Sequence, residues 1–453
     1  MKMGRSAQSS GGAKTYWKEP PSAKMTKPTR TLIGLIAGSA VAAYLFGCGG
    51  GGSSVDRGSI APAPPPVCNS LAVTPKLQTG IPGGGRPGIW VPPSSIAHPG
   101  DAGVRAHTNH LVLLRAAGTR GNGPSGLTPA QLSKAYGVPA NSGSGAVAVV
   151  DAYNYPTALN DFNHFSQTFG LPTESSADAT ASTNLVFQVV YASGAAPTDD
   201  AGWGQEMAVD TQWAHAMAPR AKIYLVEAAS ASLSDLMAAI TVAKRLPGVR
   251  QVGISFGSPE DACSLANYDS IFVQNGVEFF AAAGDTSGER DFPAESMNVV
   301  AVGGTTLTVA LDGTWMSETV WTSTGGGPSK FEPRPIFQDG IQSLVGAYRG
   351  NADLAAVGDP NTGVSVYDSF AYQGASGWQV FGGTSAGTPI IAGIANAAGA
   401  TRAGSQALNA NLIAHLGTSS FHDITQGSSS TFSAAVGWDF PTGVGTPNGL
   451  SGF

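Results

Sequence analysis

From Leu127 onward, short apolar runs alternate with longer stretches of helical periodicity. The runs Gly145–Val150, Ile223–Val226, Val252–Ile254, Phe279–Ala283 and Val299–Val302 lack strict alternation, as buried strands do. Between them lie the predicted helices Asn160–Phe169, Gly204–Met217, Ser232–Arg245 and Ser264–Asn275. Strand–helix alternation of this kind predicts an α/β fold, with a parallel central sheet and helices on both faces. The segment Leu127-Thr128-Pro129-Ala130 predicts a short helix. Thr128 suits its cap and Pro129 its first turn. No internal repeat is visible.

The first part of the chain reads differently. Residues 32–47, LIGLIAGSAVAAYLFG, form an apolar run preceded by Lys27 and Arg30, the order of an export signal. The run is short for a membrane span. It ends at Leu45-Phe46-Gly47-Cys48, which resembles a bacterial lipoprotein box, with Cys48 as the lipidated residue. An ordinary signal peptide cut nearby is the alternative. The polar stretch before Met25 suggests that translation starts at Met25. Residues 49–67 predict a flexible, then Pro-rich tether. Residues 68–126 predict an extended arm, with one convincing apolar run at His110–Ala116. Residues 1–48, 49–67, 68–126 and 127–453 are thus export segment, tether, arm and main domain. The expected location is the cell envelope or the exterior. With Cys48 lipidated, Cys68 and Cys263 remain as an even pair. They are either a disulfide, as an oxidising compartment allows, or two free thiols.

Composition narrows the function classes. Hydrophobic residues make up 42%, enough for a large core. Charged residues make up 12%, against about a quarter in an average soluble domain. The net charge of -6 comes without a basic stripe, so no nucleic-acid partner is expected.

The chemistry gathers at three places. Phe381-Gly-Gly-Thr-Ser385-Ala-Gly-Thr-Pro389 runs into the apolar stretch IIAGIANAAG. This predicts a tight loop feeding a helix, with Ser385 at the junction near free N–H groups and the positive helix end. A plain capping serine is the bland alternative. A nucleophilic serine needs a base. No His-Gly-Thr-His element occurs. His98, His107 and His110 lie in the arm, and His164, His215, His415 and His422 read as structural. Glu206 and Asp210, four apart on a predicted helix, place their carboxyls on one face, about 5–6 Å apart at Cβ. Met207, Ala208, Val209 and Trp213 around them are apolar, which is unusual for a merely solvated acidic face. Two such acids share a proton and titrate together. Asp285 follows the Phe279–Ala283 run directly, at a strand end where sites gather in open α/β sheets. A turn aspartate is the alternative there.

At these residues the chain resembles the sedolisins, the serine-carboxyl peptidases. Their E-x-x-x-D helix, G-D strand end and G-T-S-x-x-x-P loop occur here in the family's order. WAHAMAPRAKIYLVEA, FPAESMNVVAVGGTTL, SETVWTSTGGGPS and GWDFPTGVGTPNG match as well, so the resemblance covers residues 127–453. It implies a subtilisin-like fold and an acid-acting endopeptidase forming an acyl-enzyme on protein or peptide substrates. Ser385 would be the nucleophile, Glu206 the general base and Asp210 its partner. Asp285 would hold the oxyanion, as a neutral acid can and a carboxylate cannot. The resemblance also implies one Ca2+ ion. Its ligands would be the side chains of Asp423 and Asp439, the carbonyls of Ile424, Ala435 and Gly437, and a water. Two features depart from the pattern. Residues 68–126 are too few for the family's large prodomain. Asp151 and Phe256 stand where some relatives carry Glu and Trp beside the catalytic helix. A monomer is expected, tied by lipid to a membrane if Cys48 is modified. The competing readings are a subtilisin-type enzyme with a histidine base, an inactive surface-anchored binding protein on a peptidase scaffold, and a structural envelope protein.

Overall fold

The computed structural model describes residues 88–114 and 123–453. The export segment, the tether, Cys48 and Cys68 lie outside the described residues. Contacts divide the chain at Ala63/Pro64, and every described residue belongs to the second unit.

The described arm supplies β1 (Gly88–Trp90), β2 (His107–Thr108) and β3 (Leu111–Leu114). Helix α1 (Pro129–Ala135) begins as its sequence predicts. Thr128 Oγ1 accepts from Gln131 N–H, while the Gln131 side chain accepts from Thr128 N–H, a reciprocal cap. There follow β4 (Ala146–Ala152), α2 (Ala158–Phe169), β5 (Phe187–Tyr191), α3 (Ala201–Met217), β6 (Lys222–Ala228) and α4 (Leu233–Ala243). The next elements are β7 (Val249–Ile254), β8 (Phe256–Pro259), α5 (Ala262–Tyr268), β9 (Glu278–Ala282), β10 (Asp291–Phe292), β11 (Val300–Val309) and β12 (Trp315–Val320). The chain ends through β13 (Gly327–Pro333), α6 (Gln342–Val345), β14 (Tyr348–Asn351), β15 (Leu354–Val357), β16 (Val364–Tyr372) and β17 (Ala375–Gly382). Then come α7 (Thr384–Ala398), α8 (Ser405–Ala414), β18 (Phe421–His422) and β19 (Thr446–Pro447).

The central sheet runs β12-β11-β9-β7-β4-β6-β5, with β15 also paired to β11. Every pairing in it is parallel except β11 with β12. All seven residues of β4 are buried, as expected of a strand covered on both faces. Helices α3 and α7 pack on each other and on this sheet. From Gly202 to Met217, α3 is buried on every side, so its acids lie inside the protein. The strands and helices foreseen from Gly145 onward are all present. The foreseen helix at Ser264–Asn275 is shorter, with α5 ending at Tyr268 and a 3-10 turn continuing to Phe272. Cys263, in the first turn of α5, is disulfide-bonded.

The arm was not foreseen as part of any sheet. β3 pairs antiparallel with β1 and β17, in a four-stranded sheet β1-β3-β17-β16. β2 pairs antiparallel with β8, on the other side from β10. The arm is thus built into the main domain at two places, with Asn109 and His110 between them.

Candidate active site

Ser385 is the second residue of α7. Gly383 caps the helix with φ 100°, a conformation that a side chain would strain. Pro389 is the sixth helical residue. Its missing N–H leaves the Ser385 carbonyl without its helical donor. Ser255 Oγ faces that carbonyl at 3.5 Å. The Ser385 hydroxyl donates to the Ser255 carbonyl at 2.9 Å.

The carboxyls foreseen from the sequence converge here. Ser255 Oγ donates to Asp210 Oδ1 at 2.7 Å, so Ser385, Ser255 and Asp210 are linked through one residue after β7. Burial pushes Glu206 up to about 8, and the neighbouring Ser385 and Asn109 offset part of the shift. Asp210 is raised well above the ordinary range by burial first and then by Glu206. Asp151, at the end of β4, is raised by burial and by Asp210, Glu206 and Glu227. Both its oxygens are buried without a hydrogen-bond partner. Three acids thus lie close together in an apolar interior, where they cannot all ionise.

Asp285 sits across the loop from Ser385. Its Oδ1 accepts from Thr384 N–H at 2.7 Å and from Thr384 Oγ1 at 2.9 Å. Its Oδ2 is buried without a partner. Burial raises this acid to about 8, against the two bonds from Thr384. Below that pH the free oxygen carries a proton that it can donate.

The residues that sequence reasoning missed come from the arm. The Asn109 carbonyl accepts from Ser385 N–H at 3.0 Å. The Asn109 N–H reaches the Ser255 carbonyl at 3.2 Å and Ser385 Oγ at 3.2 Å. Asn109 O and Asp285 Oδ2 both stand where a Cβ on Gly383 would be, so a side chain there would collide with both. Next along the arm, His110 Nδ1 lies 2.6 Å from Glu206 Oε2 and Nε2 lies 3.3 Å from Gln205 Oε1. Burial lowers His110 to about 4. The neutral ring pairs with the Glu206 carboxyl through Nδ1. His110 had read as an unremarkable arm residue. The apolar run starting at His110 was the one signal that this stretch is ordered.

The five residues foreseen as calcium ligands lie in one loop region. Both Asp423 oxygens accept from Gly437 N–H, at 3.2 and 3.0 Å, and Asp439 Oδ2 accepts from Ala435 N–H at 2.9 Å. Burial raises Asp439 to about 6, and the charge of Asp423 adds to the shift. A second cluster, not foreseen, joins His107, Glu289 and Asp291. Among the described residues, no helix is long and apolar enough to cross a membrane.

A subtilase family model matches residues 192–438, more than half of the chain. Kumamolisin from Bacillus sp. (strain MN-32) is 36% identical over an alignment of 292 residues that covers 56% of this chain and 51% of that protein. Sedolisin from Pseudomonas sp. (strain 101) is 31% identical over 172 residues, 34% of this chain and 28% of that protein. The chain therefore spans about half or less of the length of these relatives. The structure of Pseudomonas sedolisin, a serine-carboxyl proteinase complexed with two molecules of pseudo-iodotyrostatin, has a TM-score of 0.59 at 23% identity. It covers 72% of this chain and 96% of its own, and establishes the subtilisin-like fold. The chain belongs to the subtilase family and, within it, to the sedolisins.

Proposed function

We propose that the protein is an exported, acid-acting serine-carboxyl endopeptidase with Ser385 as its nucleophile. The observation that carries this reading is the seat of the Asn109 carbonyl. A peptide carbonyl rests on Ser385 N–H, beside the Ser385 hydroxyl and the free oxygen of Asp285. A substrate carbonyl in that seat is attacked by Ser385 Oγ. The serine proton passes to Glu206, whose carboxylate forms in acid once the arm has left and water relieves the burial that raises it here, and Asp210 shares the charge. The oxyanion is held by Ser385 N–H and by neutral Asp285. Glu206 then protonates the leaving amine, and water hydrolyses the ester on Ser385. Protein or peptide chains are the substrates, in line with the printed description of the sedolisin structure as a proteinase. Export with the Cys48 lipid anchor is part of the same proposal, as are the domain limits and a monomeric state.

A calcium ion fits the 423–439 region. Asp423 and Asp439 are close enough for the charge of one to raise the other, and backbone amides of the same loops already orient both carboxylates. Their side chains and the carbonyls of Ile424, Ala435 and Gly437 would hold the ion. The ion would neutralise the acids and tie the two loops together.

A peptide aldehyde incubated with the protein at about pH 4, a pH at which Asp285 is neutral, tests the nucleophile. With the aldehyde carbon labelled with 13C, NMR should show the hemiacetal formed by addition of the Ser385 hydroxyl, absent from Ser385→Ala. An adduct elsewhere, or none in either protein, would contradict the assignment.

A further inference from the structure

His107 occupies a pocket that the mechanism above does not use. Its ring is buried, and Nε2 lies 3.3 Å from Asp291 Oδ2. Asp291 is fully buried, and apart from this ion pair neither of its oxygens has a hydrogen-bond partner. Glu289 offers a second carboxylate oxygen to the same point. Its Oε2 also accepts from Asp285 N–H at 3.1 Å and Thr286 N–H at 3.0 Å, which fixes the side chain. Burial opposes a charge on His107. Asp291 is the main group that outweighs it, and the ring is raised to about 9. The Asp291 carboxylate can reach His107 because residue 257, opposite His107 on β8, is glycine. A Cβ there would collide with the Asp291 carboxylate.

The arm lies in the cleft as an extended peptide. β2 pairs with β8 before the Asn109 carbonyl, and β3 pairs with β17 after it. A substrate whose carbonyl took the place of Asn109 would put the residue two positions earlier where His107 now stands. We infer that Glu289 and Asp291 form a subsite for a positively charged side chain two residues before the residue whose carbonyl meets Ser385. This rests on the peptidase reading above for its role, but not for its existence as a binding site. Imidazole satisfies the pocket incompletely, since His107 Nδ1 and Asp291 Oδ1 are left without hydrogen bonds. Arginine or lysine brings more donors, and arginine can engage a carboxylate through two of them.

Two measurements test this. In full-length Ser385→Ala, amide hydrogen exchange of residues 106–112 reports how firmly the arm is seated. His107→Gln should speed exchange by on the order of tenfold or more, while His107→Arg should preserve or increase protection. Asp291→Asn should remove the difference between Arg and Gln, and Glu289→Gln should narrow it, which covers failure of either variant to fold. Equal protection with Gln and Arg at position 107 would overturn the subsite. The second measurement uses peptides copying residues 105–113, with Arg, Lys, Gln or Glu in place of His107, and the unsubstituted enzyme. Cleavage after the asparagine should favour Arg over Gln by on the order of 30-fold in kcat/KM. Cleavage without that preference would overturn the subsite and leave the peptidase reading intact. No cleavage of any peptide, together with the expected exchange pattern, would overturn the peptidase reading and leave the subsite as a binding site.

Discussion

Asp285 and Glu206 carry the same kind of perturbation for different ends. Each is a carboxyl raised to about 8, chiefly by burial. Asp285 serves as a donor while protonated, so activity should fall as pH rises through about 8 and this acid ionises. Asp285→Ala should lower kcat by roughly 100- to 1000-fold, the usual loss for one oxyanion donor. Asp285→Asn keeps a donor that does not titrate. It should retain more activity than the alanine variant and lose the alkaline limb that belongs to Asp285. Steady-state kinetics of both variants across pH check this. Glu206, Asp210, Asp285 and Ser385 could be singled out in the sequence as candidates because each stands in a local pattern: a four-residue helical spacing, a strand end, a loop before an apolar helix. His110 was not legible, because its partner Glu206 is 96 residues away and nothing local marks the ring for the site. Likewise, no spacing rule links His107 to Asp291, which lies far along the chain.

At the scale of elements, the arm is the chief departure from the sequence reading. Its strands are two to four residues long, too short for period-2 alternation to stand out. Their pairing with β8 and β17 is set by tertiary contacts. The same pairing holds the Asn109–His110 peptide over Ser385. Protein incubated in mild acid should therefore be cut there, giving a new N-terminus at His110, as sequencing of the product would show. Ser385→Ala should stay intact, and the same cut in that variant would point to another protease. While the arm is seated, His110 covers the Glu206 carboxyl, so release of the cut arm should leave the base free for substrate. The calcium loops show the other limit of sequence reading. Their acids were named from family resemblance, and spacing alone gave two ordinary turns. Chelation by EGTA should lower the melting temperature of Ser385→Ala by several degrees, which about 1–2 kcal/mol of lost binding would produce. Asp439→Asn should melt lower and lose the response to added calcium.

Across the whole molecule, parallel strands buried on both faces made the sheet readable, since continuous apolar runs such as Ala146–Ala152 mark such strands. The interior they enclose is unusually acidic. Asp151, Glu206, Asp210, Glu227, Asp285, Glu289 and Glu295 are all raised, each first by burial. The folded protein thus binds more protons than the unfolded chain above the ordinary carboxyl range. Stability is fullest at or below that range and is lost as pH rises toward 8. His107, raised to about 9, acts in the same direction above 6.5. His110 and His215, lowered to about 4, act oppositely, but only between about 4 and 6.5. The urea midpoint of Ser385→Ala should accordingly drop most clearly between pH 6.5 and 8. A midpoint that rises over that interval would show that the buried acids are ionised at little cost.

The central claim is that Ser385, served by acids rather than by a histidine base, hydrolyses peptide bonds. Hydrolysis of a denatured protein substrate from pH 3 to 8, with the unsubstituted protein beside Ser385→Ala, tests it most directly. Activity in acid that declines toward pH 8 and disappears in Ser385→Ala is the predicted result. Activity that survives in Ser385→Ala, or no cleavage at any pH by a folded, calcium-supplied protein freed of its arm, would contradict it.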